Sequence, residues 1–132
     1  SLINTGLAAV RNNAIGRKQY FLSAEDLTNL AVVPLQADLA VVATLGIPHV
    51  ERNGHHYFSG LSHLPAAERN AALDHHAGLY VSHGDTGALW IKEGFLDVRS
   101  LQVPGLGVRD HPDLDDGIPE EDWSFTMLET KP

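Results

Sequence analysis

Leu89-Trp90-Ile91-Lys92-Glu93-Gly94-Phe95-Leu96-Asp97-Val98, followed by Pro104-Gly105-Leu106-Gly107-Val108, is the stretch from which the fold is read. Apolar residues alternate on both sides of Glu93-Gly94, which predicts two short strands joined by a tight turn. The Pro-Gly-x-Gly segment then predicts a kink where the chain leaves that hairpin.

The rest of the chain sets limits on what the hairpin belongs to. Its 132 residues, 43% of them hydrophobic, suffice for one domain with a modest core. A complete (β/α)8 barrel needs about 250 residues. Seventeen acidic residues against nine basic ones give a net charge of -8, which disfavours nucleic acid and anionic membrane as partners. No Cys is present, so disulfide frameworks and thiolate metal sites are excluded. The longest apolar run, Leu39 to Leu45, is too short to span a bilayer, and no charged-then-apolar signal opens the chain. The expectation is a soluble, cytoplasmic protein.

Upstream of the hairpin the pattern is helix, strand, helix, strand. Thr5 can cap a helix carrying Leu7, Ala8, Val10, Ala14 and Ile15, with Gly16 ending it. Gln19-Tyr20-Phe21-Leu22-Ser23 reads as a buried strand and residues 24–29 as a polar loop. Pro34 suits the first turn of a second helix through Leu35, Leu39, Val42, Ala43 and Leu45, which Gly46 stops. Ile47-Pro48-His49-Val50-Glu51 reads as the next strand. This alternation with short connections predicts a parallel α/β arrangement. Ser62 can cap a third helix that has Pro65 in its first turn and runs to about His75. Gly-, Asp- and Pro-rich connections follow from His83, and Asp110 to Asp122 is an acidic stretch expected to be extended coil or mobile.

The ending L-x-I-x-x-G-x-L-x-V, then P-G-L-G-V, resembles the C-terminal segment of the enolase superfamily in its mandelate racemase and muconate lactonizing branch. The two βα units between Thr5 and Glu51 are similar in order and size to the last units of that family's barrel. The resemblance implies an α/β chain that forms the C-terminal part of a (β/α)8 (TIM) barrel over residues 1–80. Residues 81–132 would then be the C-terminal hairpin, packing toward a capping domain, and the acidic tail. It also implies that Glu51 closes the eighth strand and that Ser23 to Asp26 close the seventh, where such enzymes often carry a histidine base. No histidine stands there, which argues against a His/Asp dyad of the mandelate racemase kind. The family's metal-binding carboxylates and Lys-x-Lys motif have no counterpart here. Mg²⁺ would therefore be held by an N-terminal part of the same protein that is missing from this chain.

Several side chains have chemical potential. A carboxylate at a strand's C-terminal end, Glu51, would face a barrel mouth and could hydrogen-bond or protonate a substrate oxygen as an enediolate forms. The bland alternative is a salt bridge to Arg52. Beyond it, Arg52 can grip a carboxylate at two points, and His55 or His56 can carry a proton near neutral pH. Adjacent residues of an extended chain point to opposite sides, so at most one of these two histidines would face the pocket. Equally, they could simply satisfy loop backbone. Ser23 and Glu25 complete the expected lining. The wealth of histidine (His49, His55, His56, His63, His75, His76) raises a metal reading, but no spacing such as H-E-x-x-H supports it. His75-His76 have a simpler account as partly protonated imidazoles at a helix C-terminus.

The sequence thus leads to the C-terminal portion of a Mg²⁺-dependent acid-sugar dehydratase, racemase or cycloisomerase, inactive by itself. Glu51 and His55 would be catalytic, and Ser23, Glu25, Arg52 and His56 would bind a small-molecule carboxylate. Association with further copies of the chain is compatible with this. The alternative, from a different class, is a small self-contained α/β binding module without catalysis.

Overall fold

A computed structural model of the chain describes residues 2–26, 29–52, 59–113, 115 and 117–125. The fold is mixed α/β. Its elements are α1 (Leu2–Ile15), β1 (Ser23–Asp26), α2 (Val33–Thr44), β2 (His49–Arg52), α3 (Ala66–His75), β3 (Tyr80–His83) and β4 (Thr86–Leu89), with 3-10 turns at Arg99–Leu101 and Glu120–Asp122.

The helix–strand alternation is realised as expected. β1 and β2 lie parallel, with Ser23 opposite His49, Ala24 opposite Val50, Glu25 opposite Glu51 and Asp26 opposite Arg52. Parallel neighbours need a crossover connection, and α2 supplies it. Pro34 sits in its first turn and Gly46, at φ +64°, follows its end, where a left-handed residue closes a helix at least cost. α2 is the centre of packing. It buries Leu35, Gln36, Leu39, Ala40 and Val42, and Leu61, Ala72, Leu79, Tyr80 and Leu101 complete the core around it. Each fully buried leucine contributes about 1.5–3 kcal/mol over its exposed state.

α1 is different, because none of its residues is buried. Thr5, Ala8 and Asn12 are its half-covered positions, whereas Leu2, Ile3, Leu7 and Val10 are exposed. One amide ties the helix down. Asn12 donates from Nδ2 to the Tyr20 carbonyl at 2.7 Å, and its Oδ1 accepts from the backbone N–H groups of Gln19 and Tyr20 at 2.9 and 2.8 Å. The helix also starts at Leu2, so Thr5 lies within it and is not its cap.

These bonds correct the first strand. With both its backbone groups bound to Asn12, Tyr20 stays outside the ladder, and the strand occupies Ser23–Asp26, the last residue of the expected strand and the first three of the expected polar loop. The start of α3 is also displaced. Residues around Leu61 and Ser62 are held in turns closed by Ser62 N–H to Ser59 O and Leu64 N–H to Leu61 O, so Pro65 and not Ser62 precedes the first helical residue.

At the hairpin, Lys92 and Phe95 exchange both backbone hydrogen bonds at 2.9 Å around Glu93 and Gly94, whose φ values of +52° and +83° are those of a tight primed turn. The turn is where the sequence predicts it, but its arms do not continue as a ladder. The Trp90 N–H donates instead to the Leu79 carbonyl at 2.8 Å, so this arm belongs with β3. The regular hairpin lies upstream, with Tyr80 opposite Leu89 and His83 opposite Thr86. Downstream, Gly107 lies so close to α2 that a Cβ there would be 2.9 Å from the Ala40 Cβ and 3.0 Å from the Gln36 carbonyl oxygen. The Pro-Gly-x-Gly kink is thus a packing contact.

The two histidines that end α3 differ from the expected charged pair. His75 Nδ1 lies 2.6 Å from Asp110 Oδ2. His76 is buried, with Nδ1 3.2 Å from Ser100 Oγ, and burial pushes its pKa below the ordinary imidazole value.

Candidate functional site

The two-residue period of a strand decides which side chains β1 and β2 present together. Val50 packs against the core around α2, and Ala24 beside it is half-buried. Ser23, Glu25, His49 and Glu51 therefore share the opposite face, and all four are exposed. Ser23 and His49 stand at one level and Glu25 and Glu51 at the next. Ser23 Oγ and His49 Nδ1 are 2.6 Å apart.

This face can do two kinds of chemistry. Two carboxylates on adjacent strands can accept hydrogen bonds from the hydroxyls of a polyol. An imidazole beside them can donate or accept a proton. Of the residues singled out from sequence, Ser23, Glu25 and Glu51 are brought together on one face of the parallel pair, Ser23 at the first position of β1 and Glu25 and Glu51 at the third positions of their strands. Arg52 is the last residue of β2, opposite Asp26. His55 and His56 lie outside the described residues.

His49 is the residue that sequence reasoning missed, entering only as one of many histidines. The signal was present, since a residue two before Glu51 on a strand must share its side. His49 also borders an apolar groove of about 270 Å³ between α2 and the Glu93-Gly94 turn, whose lining includes Leu39, Val42, Ile47, Phe95 and Leu96.

Among the described residues, no three His, Asp or Glu side chains converge as the ligands of a metal ion would. The Mg²⁺ implied by the family resemblance finds no ligand set there. The described histidines beyond the face are scattered, with His63 Nε2 on the Ala31 carbonyl at 2.8 Å and His75 on Asp110. No helix among the described residues is long and apolar enough to cross a membrane.

No protein-family model matches the chain, and no curated protein or solved structure matches it either. Fold and site define the protein by class: a mixed α/β chain with a parallel βαβ unit whose open sheet face carries serine, histidine and two glutamates.

Proposed function

We propose that this chain forms the last two βα units and the C-terminal segment of an enolase-superfamily barrel, and that the protein acts on a small acid sugar by abstracting the proton α to its carboxylate. Dehydration, racemisation or cycloisomerisation would follow. The observation that carries the reading is the pairing of Glu25 and Glu51 on the face turned away from α2. In a (β/α)8 barrel, side chains near the C-terminal ends of the strands that turn away from the helices line the active-site mouth. Glu51 then hydrogen-bonds or protonates the substrate oxygen, Ser23 and Glu25 line the pocket, and Arg52, His55 and His56 are the further candidates by residue type for gripping the carboxylate and carrying a proton. The exposed apolar side chains of α1 support the same reading, because a barrel helix packs against neighbours on both sides. The 132 residues alone would not catalyse.

The test is incubation of the full-length protein with Mg²⁺ and a panel of aldonic and aldaric acids in D₂O, followed by proton NMR. Loss of the α-proton signal, with or without elimination, is expected for at least one acid. Absence of exchange and of product across the panel overturns the reading.

A second reading, a self-contained binding module, draws on the core around Leu35, Leu39, Leu61, Leu79 and Leu101. A cooperative melt of the isolated chain as a monomer would favour it. Aggregation through the unpaired strand edge and the apolar side of α1 would count against it.

A further inference from the structure

Ser23 and His49 are register partners at the first positions of β1 and β2, and what joins them determines what the imidazole can do. Ser23 Oγ lies 2.6 Å from Nδ1, which leaves Nε2 on the side of the ring away from the serine. A hydroxyl both donates and accepts, so it satisfies Nδ1 whether that nitrogen carries a lone pair or a hydrogen. When the hydroxyl donates to Nδ1, Nε2 bears hydrogen and is a donor. When Nδ1–H donates to Oγ, the hydroxyl proton turns toward the Ala24 carbonyl oxygen, 3.4 Å away, and Nε2 presents its lone pair. A carboxylate in place of Ser23 would hold the ring in one tautomer. Serine allows both, and it keeps its hydrogen bond when the ring is charged.

The other histidines with described contacts are committed elsewhere. His63 faces a backbone carbonyl, His75 pairs with Asp110, and His76 is buried against Ser100. His49 alone among these sits on the face that carries Glu25 and Glu51, exposed and oriented through one nitrogen.

We propose that His49 is the proton-transfer residue of this face, with Ser23 as its positioning residue. This rests on the carboxylate-enolising reading above and assigns its base. The substrate's C–H bond α to the carboxylate breaks, its electron pair stays on the substrate as the enediolate, and the proton forms a new N–H bond at Nε2. The resulting imidazolium donates Nδ1–H to Ser23 Oγ. Glu51, two residues along the same strand and roughly 7 Å away by strand geometry, keeps the substrate-oxygen role given above. Return of the proton to carbon reverses the step, and its exchange with solvent deuterium makes the step visible.

The test uses the full-length protein in the deuterium-exchange assay, with three variants and one measurement independent of activity. His49→Gln is expected to slow exchange about 100-fold or more, the lower range for a positioned acid–base group, with substrate Kd by calorimetry held within about threefold. Ser23→Ala is expected to cost about tenfold, the worth of one ordinary hydrogen bond, and to move the pH profile of kcat/KM. Ser23→Thr, which retains the hydroxyl, is expected to recover most of the rate. Wild-type exchange in His49→Gln overturns the inference and leaves the carboxylate-enolising reading standing. Absence of exchange in the wild type with every acid overturns that reading and the proton-transfer role with it. Separately, long-range ¹H–¹⁵N spectra of the His49 ring report its tautomer. Ser23→Ala is expected to change both ring-nitrogen shifts and Ser23→Thr to leave them in place. Unchanged shifts in Ser23→Ala overturn the positioning role whatever the activity.

Discussion

His75 and Asp110 join the last turn of α3 to the beginning of the acidic segment, with Nδ1 and Oδ2 2.6 Å apart and the two side chains 39% and 35% exposed. At that exposure water screens the pair, so its contribution is small. Asp110→Asn is expected to lower unfolding free energy by less than about 1 kcal/mol. Thermal melts check this, and the difference from wild type is expected to shrink as salt is raised to about 1 M.

His76 gives the fold a pH dependence of definite sign. Burial lowers its pKa from the ordinary 6.5, against the raising effect of Asp110 and with smaller lowering effects of His75 and Arg109. As pH falls past 6.5 the unfolded chain takes up a proton that the folded chain resists, so stability is complete above 6.5 and declines below it until the folded state also titrates. Urea unfolding at a series of pH values measures that slope. His76→Gln is expected to flatten it.

Two glycines with positive φ separate backbone strain from steric exclusion. At Gly60, φ is +56° and a Cβ would fall 2.0 Å from the Gly87 carbonyl oxygen, the same atom that accepts from Leu61 N–H. At Gly84, φ is +57° and nothing lies within 4 Å. Gly84→Ala is expected to cost about 1 kcal/mol from conformation alone. Gly60→Ala must also displace backbone and is expected to cost about 3 kcal/mol or more. Denaturant midpoints of the two variants provide the comparison.

Asp97 is held to a pKa of about 2 by hydrogen bonds from the Arg99 side chain and then from its backbone N–H. The guanidinium Nε lies 2.9 and 3.1 Å from the two carboxylate oxygens. Because the folded value is depressed, the stabilising effect is present above the ordinary carboxylate range and is lost as pH falls through about 2. Carboxyl-carbon NMR of Arg99→Gln is expected to show Asp97 titrating nearer its ordinary value.

The βαβ unit was legible because its punctuation and its core agree. Pro34 and Gly46 mark the ends of α2, and Leu35, Leu39 and Val42 recur at helical spacing between them. The position of β1 was not legible, because it depends on an amide eight residues away: Asn12 captures Tyr20 through bonds that no local pattern records. The β3/β4 hairpin was hidden by its composition. Gly87, at a position where a strand pattern calls for a side chain, packs under Leu61 and Leu73, whose side-chain ends would lie 2.9 and 3.1 Å from a Cβ there. At the candidate site, Ser23, Glu25 and Glu51 were readable from strand ends. The Ser23–His49 contact needed the register between strands, which a single sequence does not state.

The link between α2 and β2, residues 45–48, sets how far β2 has advanced when it meets β1. Side chains alternate along a strand, so a shift of one residue turns the whole set over. An in-frame loss of a single codon in that link, with β2 still paired to β1, would carry Val50 outward and send His49 and Glu51 toward the apolar side of α2. Every chemical group would survive such a deletion, yet the serine, the imidazole and the two carboxylates would no longer meet. The genetic spacing of this short connector is as much an active ingredient as the side chains it aligns.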